Sequence, residues 1–447
     1  MTPTERAIDA LPPHLRRWAA SQDYASYTAE DQSTWREILG RLTAHLAGRA
    51  HPRYLSGLAE TGIALDRIPS LDEMNVRLAR VGWSAVGVSG FIPPAVFTEL
   101  QHLRVLAIAT AIRRPEHLDY TPAPDIVHES AGHAPLLCDP RYAEYLQRCG
   151  EVGWRAIPAA EDRAVFEAVR HLSEVKERRS ATAAQGALAE ARLAAALQGV
   201  PFASEAARAS RLYWWTAEYG LVGQAGSPRL YGAGLLSSLG ESARCLGPEV
   251  ARLPLDAGCA EVAFDITRMQ PQLFLARDFE QLFEVLEAFA ATLSFRRGGD
   301  HGLAVAGRAG TVVQLALPGG RELSGRVAGV EAAPGPPAHG LAAALARLSG
   351  PVLRSRGGRA SGPWFDGPGL VAFGEGALGP PGPFSLALAS GLRLEGLHVG
   401  EGEVLALRGS LAGRPLDLPR WAVLEVAAAL PSVAAGAADP AAALVEA

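Results

Sequence analysis

The chain has 447 residues, 48% of them hydrophobic and 20% charged, which is enough apolar content to bury the cores of two or three domains. Its formal net charge is -5 and its sequence pI is about 6.2, with no run of like charge, so nothing electrostatic points to nucleic acid or an anionic membrane. No uninterrupted apolar stretch of about 18 residues occurs, and the start, MTPTERAIDALPPHLRRW, has no signal-peptide core. A cytoplasmic protein acting on a small molecule is the expectation.

In chain order, the first clear element is TAEDQSTWREILGRLTAHLAG, residues 28 to 48, read as a helix capped by Thr28 with apolar residues at helical spacing. PDIVHESAGHAP, residues 124 to 135, follows with two histidines five apart. LAEARLAAALQG (188 to 199) reads as a helix ending in glycine, and SEAARASRLYWWTAEYGLVG (204 to 223) as a helix opening near Ser204. After Arg297 the character changes. More than half of the 48 glycines fall in residues 297 to 447, and TVVQLAL (311 to 317), GRVAGVE (325 to 331) and EVLALRG (403 to 409) read as short strands between turn signals. EAAPGPPAHG (331 to 340) and GEGALGPPGP (374 to 383) read as loops, and the last twenty residues as a frayed, low-complexity tail. The expected layout is a mainly α domain over 1-296 and a Gly/Pro-rich, β-rich accessory domain over 297-447. His339 and His398 in that second region have no partner at ligand spacing. Cys138, Cys149, Cys245 and Cys259 are far apart and show no CxxC pair, as expected of reduced core thiols in the cytoplasm.

The histidine pair is the segment with most chemistry. His128 and His133 stand at i, i+5, about 140 degrees apart on an ideal α-helix, too far round to share a ligand. They converge if the helix ends between them, and Gly132 and Pro135 are the expected punctuation. Without a third group the pair also fits one core histidine and one partner of a helix C-terminus. Glu218 supplies the third group. On a helix it shares an apolar face with Trp214, Trp215, Leu221 and Val222, where an ionised carboxylate needs a cation. Two histidines and a carboxylate suit either the facial triad of non-haem Fe(II) oxygenases or a zinc hydrolase with Glu129 as base.

Longer segments narrow this. IRRPEHLDYTPAPDIVHESAGHAP, SRLYWWTAEYGLVG and RLYGAGLLSSLGE, together with IPSLDEMN, GFIPPAVF and DITRMQPQLFLARDFEQL, resemble the signature segments of the tetrahydropterin-dependent aromatic amino acid hydroxylases. They occur in the family's order across residues 25 to 295 or so, and most resemble the bacterial phenylalanine-hydroxylating type. The resemblance implies the catalytic fold of that family, a monooxygenase reaction with molecular oxygen as co-substrate, Fe(II) bound by His128, His133 and Glu218, and a tetrahydropterin such as tetrahydrobiopterin as cofactor. It further implies Arg113 as the holder of the amino acid carboxylate, a task suited to a guanidinium fork, with Asp125 bracing it and Thr121 nearby. Pro124, Trp214, Tyr219 and Gly234 would shape the aromatic pocket. Phe97, Ile92 and Glu129 would contact the pterin, Tyr213 would lie near the iron-bound waters, and Ser237 would orient an iron-bound imidazole. Read alone, Phe97 is a core residue, and Asp125 and Thr121 are a helix cap and a loop residue.

The expected reaction is phenylalanine to tyrosine, favoured over tryptophan hydroxylation because Trp214 stands where tryptophan hydroxylases usually carry phenylalanine. A zinc hydrolase and a relative that only binds are the competing classes. Three departures from the family pattern stand out. Ser130 and Ala131 replace two bulky residues, a long connection including HLSEVKERRS (171 to 180) separates the histidines from Glu218, and the C-terminal region does not look like the helical tetramerisation segment. That region is the expected surface for any homo-oligomer.

Overall fold

A computed structural model describes residues 1 to 435 apart from 120-123, 179, 267, 336, 338-339, 358, 361-364 and 401. They form two compact units. One comprises Met1–Trp154, Glu161–Ala203 and Ala207–Phe289, the other Arg155–Ala160, Ser204–Ala206 and the described part of Ala290–Ala447.

In the first unit, helix Ala29–Leu46 forms where the periodicity places it. Thr28 accepts the Asp31 N–H at 3.1 Å and the Asp31 carboxylate accepts the Thr28 N–H at 2.8 Å, a reciprocal cap. Trp35, Ile38, Leu39, Leu42 and Leu46 then bury one face of it. Strands Ser84–Val88 and Val105–Ala109 run parallel and are joined by helix Pro94–His102, with Ala19–Ala20 pairing antiparallel at the edge. Successive residues are buried along both long strands, all five in Val105–Ala109 and all but Ser84 in Ser84–Val88, as expected of parallel strands covered on two faces. A second sheet has the order Arg229–Leu230, Leu221–Val222, Gln272–Ala276, Ala251–Pro254.

The helix expected over 204-223 is shorter than that. An α-helix covers Glu205–Tyr213, a π-helical turn covers Trp214–Glu218, and the chain leaves helical geometry at Tyr219, φ -126°. Leu221 and Val222 belong to the sheet. They therefore share no helix face with Glu218, and their burial comes from strand pairing.

The second unit opens with helices Ser294–Arg297 and Gly299–Ala309 before any strand. Leu303, Ala306 and Ala309 recur every three residues and give the second helix an apolar face, an element not singled out from the sequence, ahead of the first strand. At the joint, Gly298 has φ +55°, and a Cβ there would lie 2.3 Å from the Leu430 carbonyl oxygen. The sheet then runs in the order Gly382–Ala387, Leu392–Gly400, Glu403–Leu411, Trp421–Ala427, Gly369–Phe373, Ala343–Arg356, Arg321–Ala332, Val312–Leu317, Ser432–Ala435. All three strand-like runs read from sequence lie in it. In Gly369–Phe373 alternate residues serve different cores: Val371 and Phe373 join Val313, Leu315 and the Leu303 helix, while Leu370 and Ala372 join Leu394, Val404 and Leu424.

The tail is ordered further than its composition suggests. Ser432–Ala435 pairs antiparallel with Val312–Leu317, and Val433 is fully buried against Gly302. Residues 436-447 and His339 lie outside the described residues. His398 is buried, its Nδ1 2.8 Å from the Gly379 carbonyl oxygen.

Candidate active site

The two histidines converge because the backbone widens. Val127–His133 is a π-helix, whose i to i+5 hydrogen bonding places residues five apart on one face. The helix does not end at Gly132, as the sequence suggested. Gly132 lies inside the turn and makes room, since a Cβ there would stand 2.8 Å from the Ala233 carbonyl oxygen. That close approach brings in helix Ala233–Ser237. The third group, Glu218, closes the other π-turn. His133 Nε2 lies 3.1 Å from Glu218 Oε1 and His128 Nε2 3.2 Å from Oε2. Nitrogen and oxygen ligand atoms of the three residues all fall within 4.8 Å of one another.

Ser237 fixes one of the rings. Its hydroxyl donates to the Ala233 carbonyl at 2.7 Å, so the 3.0 Å contact with His128 Nδ1 has the ring N–H as donor. His128 Nε2 is thereby turned on the carboxylate. Burial works to raise the Glu218 carboxyl, but the imidazoles of His133 and His128 bring it well below the ordinary carboxylate range. A buried carboxylate facing two imidazole nitrogens must have positive charge between them, on the rings or on a metal ion. The donor set and its spacing fit a divalent metal that accepts nitrogen and oxygen ligands and keeps open positions.

Arg113 and Asp125 are both 3% exposed. Asp125 accepts Arg113 Nε and Nη2 at 2.8 Å each, and the Ser237 carbonyl accepts Nη1 at 3.0 Å. Among the described residues one N–H is left on each terminal nitrogen, donors suited to a carboxylate. Asp125 also accepts the His128 backbone N–H at 3.0 Å, so one aspartate joins the arginine to the histidine turn. Burial works against its ionisation, yet Arg113 holds the carboxyl below its usual value.

The Trp214 ring stacks on Phe264 at 4.2 Å between centroids and tilts against Tyr219 at 4.6 Å. Its Nε1 donates to Gln270 Oε1 at 3.3 Å. Gly234 is needed beneath this group, because a Cβ there would meet the Tyr219 ring at 2.7 Å. Tyr213 lies between Phe97, whose ring meets it edge-on at 5.8 Å, and His133, at 6.4 Å. Glu129 is buried behind the histidines. Burial pushes its carboxyl up to about 8, opposed by His133 and reinforced by Glu218 and Asp125. Ile92 and Pro124 are half-buried in segments leading into their helices, and Thr121 lies outside the described residues. Phe264, Gln270 and Gln101 were missed from sequence. Phe264 directly precedes the signature segment DITRMQP, the one signal that could have found it.

The family model for biopterin-dependent aromatic amino acid hydroxylases matches residues 17–169 and 187–297. Among curated proteins the chain is 31% identical to phenylalanine-4-hydroxylase of Chromobacterium violaceum, over 59% of this chain and 71% of that one. It is 32% identical to the Ralstonia nicotianae protein of the same name, over 59% and 68%, and 31% identical to that of Pseudomonas aeruginosa, over 61% and 88%. A crystal structure of the Chromobacterium violaceum enzyme, with bound iron(III) and 7,8-dihydrobiopterin, has 29% identity and a TM-score of 0.49, covering 64% of this chain and 90% of that one.

Proposed function

Since the chain belongs to the biopterin-dependent aromatic amino acid hydroxylases, we propose that it is a phenylalanine 4-monooxygenase, converting phenylalanine to tyrosine with Fe(II), a tetrahydropterin and molecular oxygen. The observation that carries this reading is the convergence of His128, His133 and Glu218 from two π-turns onto one point. These three residues would hold the iron. Iron and pterin together supply the reductive activation of oxygen, chemistry that no side chain of the protein provides.

The chain's own residues bind and orient. The free edge of Arg113, braced by Asp125, takes the substrate carboxylate, with Thr121 beside it. Trp214, Tyr219 and Pro124 wall the ring, and Gly234 leaves it space. Phe97 offers a face to the pterin, with Ile92 and Glu129 as further contacts, and Ser237 holds the His128 ring in the tautomer a metal needs. The aromatic walls also keep water from the ring. The region 297-447 is the accessory or assembly part of the molecule in this reading. Phenylalanine is favoured over tryptophan by the indole of Trp214, stacked on Phe264 where tryptophan hydroxylases usually carry phenylalanine. Four free cysteines suit a reducing cytoplasm.

The test is product analysis of protein loaded anaerobically with Fe(II), then given phenylalanine, tetrahydrobiopterin and oxygen. Tyrosine should form only when iron and pterin are both present. Iron-loaded protein that makes no tyrosine, or that makes hydroxytryptophan from tryptophan much faster, overturns the assignment.

A further inference from the structure

Helix Pro94–His102 presents two side chains, one turn apart, to the same phenol. Phe97 meets the Tyr213 ring edge-on, and Gln101 Nε2 donates to the Tyr213 hydroxyl oxygen at 2.6 Å. Gln101 is 1% exposed, and its other amide atom, Oε1, has no hydrogen-bond partner among the described residues. A buried amide with one atom unpaired is costly, and an apolar side chain of similar shape would avoid that cost. The one bond this amide makes is therefore the feature that needs a reason. Tyr213 is the last residue of helix Glu205–Tyr213, directly ahead of the π-turn that delivers Glu218, and its ring lies against His133.

We propose that Gln101 is a positioning residue for the oxygen chemistry: its amide holds the Tyr213 phenol between Phe97 and His133. The amide N–H occupies a lone pair of the phenol oxygen, so the phenol keeps its own hydrogen to donate on the metal side. The buried hydrogen bond and the ring contacts with Phe97 and His133 bear independently on the same side chain. It rests on the iron- and pterin-dependent reading of the site.

The test uses the full chain with Gln101→Met, which keeps length and burial but has no donor, Gln101→Glu, which reverses the bond, and Tyr213→Phe. Visible absorption of the Co(II)-substituted proteins reports the metal environment, and tyrosine formed per pterin oxidised reports coupling. Gln101→Met and Tyr213→Phe should alter the Co(II) spectrum alike and lower coupling about five-fold, the scale of one buried hydrogen bond, with the phenylalanine KM within about two-fold. The double variant should be no worse than either single one, because both remove the same interaction. Gln101→Glu should fold and bind Co(II) but fail to restore coupling, since it takes the phenol hydrogen for itself. Wild-type spectrum and coupling in Gln101→Met, additive losses in the double variant, or full coupling in Gln101→Glu would each overturn the proposal. Unmodified protein that binds no Co(II) would overturn the metal reading, and this one with it.

Discussion

Ser237 is a single hydroxyl with one hydrogen, and giving that hydrogen to Ala233 decides which nitrogen of His128 meets the metal position. Glu241, on the neighbouring helix Leu239–Arg244, is a carboxyl of a different kind. It is 1% exposed, and burial pushes it up to about 7, against the opposing effects of the Gln270 N–H and Arg244. Its folded value is above the ordinary 4.5, so the folded state favours the proton. The stability this gives is complete below about pH 4.5 and is lost as pH rises through about 7. Chemical denaturation should therefore show the chain less stable at about pH 8 than at about pH 5, with Glu241 contributing on the order of 2 kcal/mol of the difference. Glu241→Gln should flatten that part of the slope. An unchanged slope in the variant would show that the carboxyl is already ionised in the fold. The carboxylates of the site were legible as residues in the sequence. Glu241 was not, because its burial depends on segments far apart in the chain.

At the scale of elements, what was readable depended on whether the period of the backbone was an ordinary one. The Ala29–Leu46 helix and the strands Val312–Leu317 and Arg321–Ala332 follow 3.6- or 2-residue patterns, and local sequence suffices for them; in Glu403–Leu411 the alternation is broken at Ala406, φ +49°, and the apolar run between glycines is the signal. Both ligand segments are π-turns. Five-residue spacing on an α-helical template demands a helix end, so Gly132 reads as a stop in the sequence although in the fold it is a point of close approach. Turn geometry offers a separate test. Ala412 and Gly413 join Glu403–Leu411 to Arg414–Pro415 with φ of +49° and +83°, the left-handed pair of a tight hairpin. Alanine is strained at the first position and asparagine tolerates it. Ala412→Asn should raise stability by about 0.5 to 1 kcal/mol in urea denaturation. A loss of stability would mean that the turn is not of this type.

For the whole molecule, the order of segments along the chain carried the family resemblance, and the grouping of residues into units was far less visible. The second unit includes Arg155–Ala160 and Ser204–Ala206. Glu205 there accepts the Ser294 N–H and hydroxyl at 2.7 Å each and the Ile157 N–H at 3.2 Å, while Ile157 is fully buried among Leu303, Val313 and Leu315. Composition changes at 297, but these partners are distant in sequence and leave no local signal. Among the described residues no helix is long and apolar enough to cross a membrane. Every proposed role refers back to the metal position, so the decisive measurement is iron bound per chain after anaerobic Fe(II) loading and desalting, in the unmodified protein and in Glu218→Gln. The amide keeps the shape but removes the negative charge that two imidazoles cannot replace. About one iron per chain is expected in the first and at least a ten-fold weaker hold, roughly the scale of a lost charged ligand, in the second. Equal iron in both proteins, or none in either, would contradict the metal assignment.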